Sequence, residues 1–198
     1  ILDKLNQNTN NLEKELERTL ELFKQLQYEF KLDQAIDELK EQVEQQKSLL
    51  EKTEALEKNA DTSEKNKDQK KEDGDNETTK EDSGNDNTES QELSAEQEKL
   101  SEEFEKTSEK IDELKELGEQ LQQEDDLPSD EDLNDIQDQQ KESKEMLKQN
   151  NPSKAKSPQS KALQKMQKIQ QQMEGAESSM SMEIDMKNLE TLRQIIHG

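Results

Sequence analysis

The side chains of this 198-residue chain best placed to do chemistry are carboxylates in short runs: Asp73-Gly74-Asp75, Asp125-Asp126 and Asp130-Glu131-Asp132. Runs of this kind supply the hard oxygen donors that hold a divalent cation. None has the alternating acids, central Gly and distal Glu that let an EF-hand loop wrap Ca²⁺, so they read as solvated charge and no metal site is expected. The single histidine, His197, is the penultimate residue, a poor place for a general base that needs a tuned pocket. Phosphate-cradling glycine loops, Gly-x-Ser-x-Gly and His-Glu-x-x-His do not occur. Paired carboxylates abound, but in charged segments without the burial that shifts a carboxyl toward acid–base work. The expectation is no catalytic residue, no cofactor and no metal, hence not an enzyme.

Six lysines, Lys148, Lys154, Lys156, Lys161, Lys165 and Lys168, lie between Met146 and Met173 without one acid among them. Such a block suits an anionic membrane surface or nucleic acid. A plainer account is internal, because residues 93–145 carry 6 Lys against 20 acids and offer the lysines a partner. The whole chain has a net charge of -23, which repels polyanions, and no aromatic accompanies the lysines to stack on bases, so nucleic acid is not an expected partner. All six Met fall from Met146 onward; Met-rich faces serve adaptable binding, but gap-filling in thin helix cores is the simpler use. Met180 and Met182 are expected to be exposed, near a Ser-rich helix start.

Composition fixes what must position these groups. With 40% charged and only 25% hydrophobic residues, the chain has too little apolar surface for one compact core and suits thin contacts between helices. Five Gly, three Pro and no Trp give strands little support. The absence of Cys removes disulfides and thiolate metal sites. No apolar run approaches the roughly 20 residues of a membrane span. The expected class is all-α: elongated helical hairpins or coiled coil with a long disordered acidic linker.

The first segment, residues 1–58, predicts one long helix. Its stripe Leu16, Leu20, Phe23, Leu26 and Phe30 recurs at steps of three and four, then jumps to Leu32, Ile36, Leu39, Val43, Leu50 and Leu56. Without Pro or Gly there, the jump predicts a wider contact on a continuous helix. Residues 59–92 predict a disordered polar linker, since Asp61 to Glu92 contains no Ala, Val, Ile, Leu, Met, Phe, Trp or Tyr. Residues 93–126 predict a coiled-coil helix with seven-residue lines Leu93, Leu100, Thr107, Leu114, Leu121 and Gln97, Phe104, Ile111, Gly118. Residues 129–150 predict an acidic helix started by Ser129, with stripe Leu133, Ile136, Gln140, Ser143 and Leu147, and ended by Asn150-Asn151-Pro152. In 158–198, Pro158 opens a helix ending near Gly175, and a last one runs from Met182 to Ile196. The residues expected to pack against partner helices are Phe23, Leu26, Tyr28, Phe30, Leu100, Phe104, Ile111 and Leu114.

The stretches LELFKQLQYEFKLDQAIDELKEQ (20–42), LSEEFEKTSEKIDELKEL (100–117), DLPSDEDLNDIQDQQKESKEMLKQNNPSKAKSPQSKALQKM (126–166) and NLETLRQII (188–196) occur in series around the apolar-free segment. That series resembles the helical region of large membrane-anchored bacterial proteins, chiefly of Bacteroidota type, classed as a family of unknown function. The resemblance implies an envelope, periplasmic address and anchoring helices elsewhere in a parent protein; the family offers no catalytic residues to carry over. The start without Met, already inside a heptad pattern, and the unfinished stripe at LRQIIHG likewise suggest a fragment of something longer. The expected function is a non-enzymatic structural or protein-interaction module whose partners are proteins, self or other helices. An acidic, chaperone-like or regulatory binder of basic or unfolded clients is the alternative.

Overall fold

The computed structural model describes the backbone of residues 2–67, 85–123 and 127–197; the side chains of 2–8, 10, 59–67, 85–86 and 182–197, Met182 among them, fall outside that description. Its elements are α1 (Leu2–Lys67), α2 (Asn85–Leu121), α3 (Asp130–Lys148) and α4 (Pro152–His197), with no strand among the described residues. The all-helical expectation is met. They form two compact units: Ile1–Asp37, Glu109–Leu127 and Gln171–Gly198 make unit 1, and Glu38–Ser108 with Pro128–Gln170 make unit 2.

Three boundaries differ from those the sequence suggests. The helices extend into the polar segment at both ends, α1 to Lys67 and α2 from Asn85. At the second of these, Ser90 is fully buried and donates its hydroxyl to the Leu147 carbonyl at 2.7 Å, so a small polar residue docks where no apolar one exists. Residues 68–84, with the Asp73-Gly74-Asp75 run, lie outside the described residues, as does Asp125-Asp126. The third difference is that α4 is a single helix. Pro152 rather than Pro158 takes its first position, where the missing N–H costs nothing, and the Asn151 carbonyl accepts from Lys154 and Ala155, each at 3.2 Å. Pro158 and Gly175 lie inside it: Pro158 is buried on the packed face with Ala155, Ala162 and Met173, which outweighs its weak helix propensity, while Gly175 is exposed, with nothing within 4 Å of an added Cβ.

In unit 2 the helices alternate in direction. Hydrogen bonds join Gln42 to Thr107, Gln46 to Gln97 and Lys52 to Glu96, so α2 descends as α1 climbs. Ser108 with Gln137, Ser94 with Lys144 and Ser90 with Leu147 give α3 the same relation to α2. The predicted seven-residue lines of α2 are buried at Leu93, Gln97, Leu100, Phe104, Thr107, Ile111 and Leu114, and the α3 stripe is buried throughout. In α1 the core takes Leu49, while Leu50, which the spacing favoured, is half-buried. Met180 is buried, contrary to its expected exposure, because α4 continues past the Ser-rich stretch.

Helices α2 and α3 end alike. Gln123 N–H donates to the Gly118 carbonyl at 3.0 Å and Gln122 N–H to Glu119 at 3.2 Å; Asn151 and Asn150 make the matching bonds to Met146 and Leu147, both at 2.9 Å. Each is a Schellman turn, and its left-handed residue is Gln122 or Asn150, both at φ 55°. Glycine adopts that conformation without the Cβ clash, so Gln122→Gly is expected to raise stability by about 1 kcal/mol in urea unfolding, and Asn150→Gly by less, since Asn tolerates the region better.

Candidate interaction surface and the buried polar layer

Unit 2 holds a stack of amides in its interior. Gln46, Gln97, Gln140, Ser143 and Gln159, drawn from all four helices, are each fully buried. Gln46 and Gln97 exchange hydrogen bonds, Nε2 to Oε1, at 3.2 and 3.1 Å. The Gln97 Oε1 also accepts from Ser143 Oγ at 2.6 Å and Gln159 Nε2 at 3.3 Å, and Gln46 Oε1 accepts from Gln140 Nε2 at 3.3 Å. One carbonyl oxygen thus serves three donors from three helices. The Oε1 atoms of Gln140 and Gln159 make no hydrogen bond among the described residues, so the layer is satisfied in part. The bonds it does make require all four helices to keep one register, the use best attested for polar residues at core positions.

Charges ring this interior. Lys165 pairs with Asp135, and its second contact is Asp132 at 3.9 Å, a carboxylate it shares with Lys168. Lys156 pairs with Glu57 and Lys144 with Glu98. The Lys165 hydrogen bond holds the Asp135 carboxyl below its ordinary pKa, and Lys165 is raised in return. Lys156, with help from Ser153, lowers Glu57, and Lys31 lowers Glu113 in the same way. The lysine block therefore faces acids of its own chain at Lys156, Lys165 and Lys168, one of them on α1 rather than on the helices between Leu93 and Glu145.

Unit 1 divides the residues expected at partner helices. Tyr28, Ile111 and Leu114 are fully buried, and in unit 2 so is Phe104, with Leu100 nearly so. Tyr28 lies over Gly118, where an added Cβ would stand 3.4 Å from its ring, and Lys24 Nζ donates to Gln120 Oε1 at 3.0 Å. Phe23, Leu26 and Phe30 are not covered: with Leu12, Leu16, Leu20 and Leu22 they are 55% to 71% exposed. The jump from Phe30 to Leu32 explains the split. Two residues turn a helix by about 200°, so the stripe ending at Phe30 and the one through Tyr28, Leu32, Ile36 and Leu39 lie on nearly opposite sides of α1. One faces the core and the other faces away.

At the end of the exposed stripe, an open cleft of about 560 Å³ has Leu26, Phe30 and Met180 as its apolar lining and Glu29, Asp33 and Glu177 as carboxylates. No three His, Cys, Asp or Glu side chains converge as a metal site among the described residues, and no described helix is long and apolar enough to cross a membrane.

Removing one member of the polar layer should cost more than removing all of it. Gln97→Leu strands donors on Gln46, Ser143 and Gln159 and is expected to destabilise by about 3 kcal/mol or more in urea unfolding. Replacing all five residues by Leu or Ala should restore or exceed the original stability while broadening the amide NMR spectrum, as several registers become alike. A neutral Gln97→Leu would contradict the role assigned to the layer.

No family model matches this chain, and neither does any curated protein or solved structure.

Proposed function

We propose that the chain is a non-enzymatic protein-interaction module, an α-helical and partly coiled-coil region of a larger bacterial envelope protein. One observation carries the interaction role: seven large apolar side chains between Leu12 and Phe30 stay mostly exposed on one stretch of α1. Monomeric soluble proteins rarely leave so continuous an apolar patch to water, and patches of this size mark surfaces that meet another protein. Support for the helical-module part comes from the seven-residue burial pattern of α2. The envelope and periplasmic address rests on the resemblance to membrane-anchored bacterial proteins alone.

A photo-crosslinking phenylalanine analogue placed at Phe23 of the full-length parent protein in its cells is expected to give a discrete protein adduct. The same analogue at Glu41, an exposed polar position of α1, should give none. Equal labelling at both sites, or none at Phe23, would remove the interaction role.

The cleft favours a second reading, an acidic binder of basic or unfolded clients, because carboxylates at Glu29, Asp33 and Glu177 surround apolar Leu26, Phe30 and Met180. A fluorescent Leu/Lys amphipathic peptide is the probe. On this reading its affinity drops about tenfold or more between 50 and 300 mM salt, and Glu29→Gln with Glu177→Gln weakens it; binding indifferent to both would eliminate the reading.

A further inference from the structure

We propose that the Leu12–Phe30 face of α1 pairs with the same face of a second copy of this chain, as an antiparallel helix pair centred on Glu21. The inference rests on the interaction-module reading and supplies its partner.

The face is self-complementary. Leu12, Leu16, Thr19, Phe23, Leu26 and Phe30 follow one another at steps of four, three, four, three and four, a series that reads the same in either direction. A copy running the opposite way therefore meets every step in register. It sets Leu12 against Phe30, Leu16 against Leu26, and Thr19 against Phe23. Each aromatic faces a smaller residue, which keeps the helix separation even along the pair. Leu20 and Leu22 flank the centre on its two edges, and the reversal places each beside its own counterpart.

The parallel arrangement matches less well. It would set Phe23 on Phe23, Phe30 on Phe30 and Thr19 on Thr19, alternating wide and narrow layers. Its edges would join Leu22 to Gln27 and Leu20 to Glu15, so the two exposed edge leucines would meet polar partners.

Area and charge agree with self-pairing. Seven large apolar side chains exposed by more than half present roughly 700–800 Å² per chain, close to the ~800 Å² per partner of a standard stable interface. Residues 12–30 carry five acids and three bases, in a chain of net charge -23, so this is a segment that two copies can bring together without the repulsion of the rest. One like-charge contact is left, Glu15 beside Glu29 of the other copy, and it recurs by symmetry.

That contact and the absence of cysteine make a sharp test on the full chain. Light scattering with size exclusion should give a dimer at about 50 µM. Leu16→Glu with Phe23→Glu should be monomeric with its helicity by circular dichroism retained, since both sites lie outside the core. Glu15→Lys should tighten the dimer about threefold or more by turning two repulsions into attractions. An equimolar mixture of Thr19→Cys and Phe23→Cys chains should form a mixed disulfide on oxidation, while Phe23→Cys alone should not cross-link to itself. Self-linking of Phe23→Cys, a dimer indifferent to Leu16→Glu with Phe23→Glu, or a wild-type monomer, including one in which α4 folds over the face, would each overturn the pairing. A monomer whose Phe23 still captures a different protein in the photo-crosslinking experiment would sink the self-pairing and leave the interaction-module reading standing.

Discussion

The amide oxygen of Gln97 is the point on which the packing of unit 2 turns. Three donors, from α1, α3 and α4, converge on it at fully buried positions. A buried amide left without a partner costs about 1–3 kcal/mol, an amount comparable to burying a leucine, so sliding any helix by one turn would break several bonds together. The apolar contacts around it are less discriminating. Leu49, Leu56, Leu93, Leu147 and Ala155 form one small cluster, and aliphatic residues of similar size would pack nearly as well one heptad away. In a chain with 25% hydrophobic residues, apolar burial holds the helices together while the polar layer decides their alignment.

How far the sequence discloses this depends on the element. Strict periodicity made α2 and α3 legible, down to polar members such as Gln97, Thr107, Gln140 and Ser143 sitting on the buried lines. Gln46 and Gln159, which complete the layer, gave no separate signal; the available clue was a glutamine spaced three from Val43 and three from Leu49. Helix ends were harder, because local propensity yielded to tertiary contact. Ser90 is held by a carbonyl of α3, and Pro158 and Gly175 are carried inside α4 by the apolar face on either side of them. The two stripes of α1 were visible as a jump, but spacing alone does not say which one faces the core. Tyr28 decides it, by lying over Gly118 where no side chain blocks its ring.

Charge is arranged to the same end. The acid-free lysine block follows helices with a large excess of carboxylates, and the pairs Lys165–Asp135, Lys144–Glu98 and Lys156–Glu57 tie α4 to α3, α3 to α2 and α4 to α1. These side chains are exposed or half-exposed, so each pair contributes little energy on its own. Their effect is to remove repulsion between acidic helices that would otherwise oppose the thin cores. The net charge of -23 sets a long-range field against polyanionic partners.

The exposed stripe of α1 follows from the continuity of that helix. An isolated helix of the length from Leu12 to Phe30 is marginal in water, because its nucleus is costly and only packing makes up the difference. Here the nucleus already exists. Residues from Tyr28 onward are fixed by burial, and α1 propagates from them toward its N-terminus at the small cost of each added residue. The apolar face is thereby presented in its binding conformation before any partner arrives, and the ordering entropy that a disordered segment would lose on association is largely absent. A helix built this way can leave its outer face to another molecule because the opposite face, nearly half a turn away, secures it to the fold.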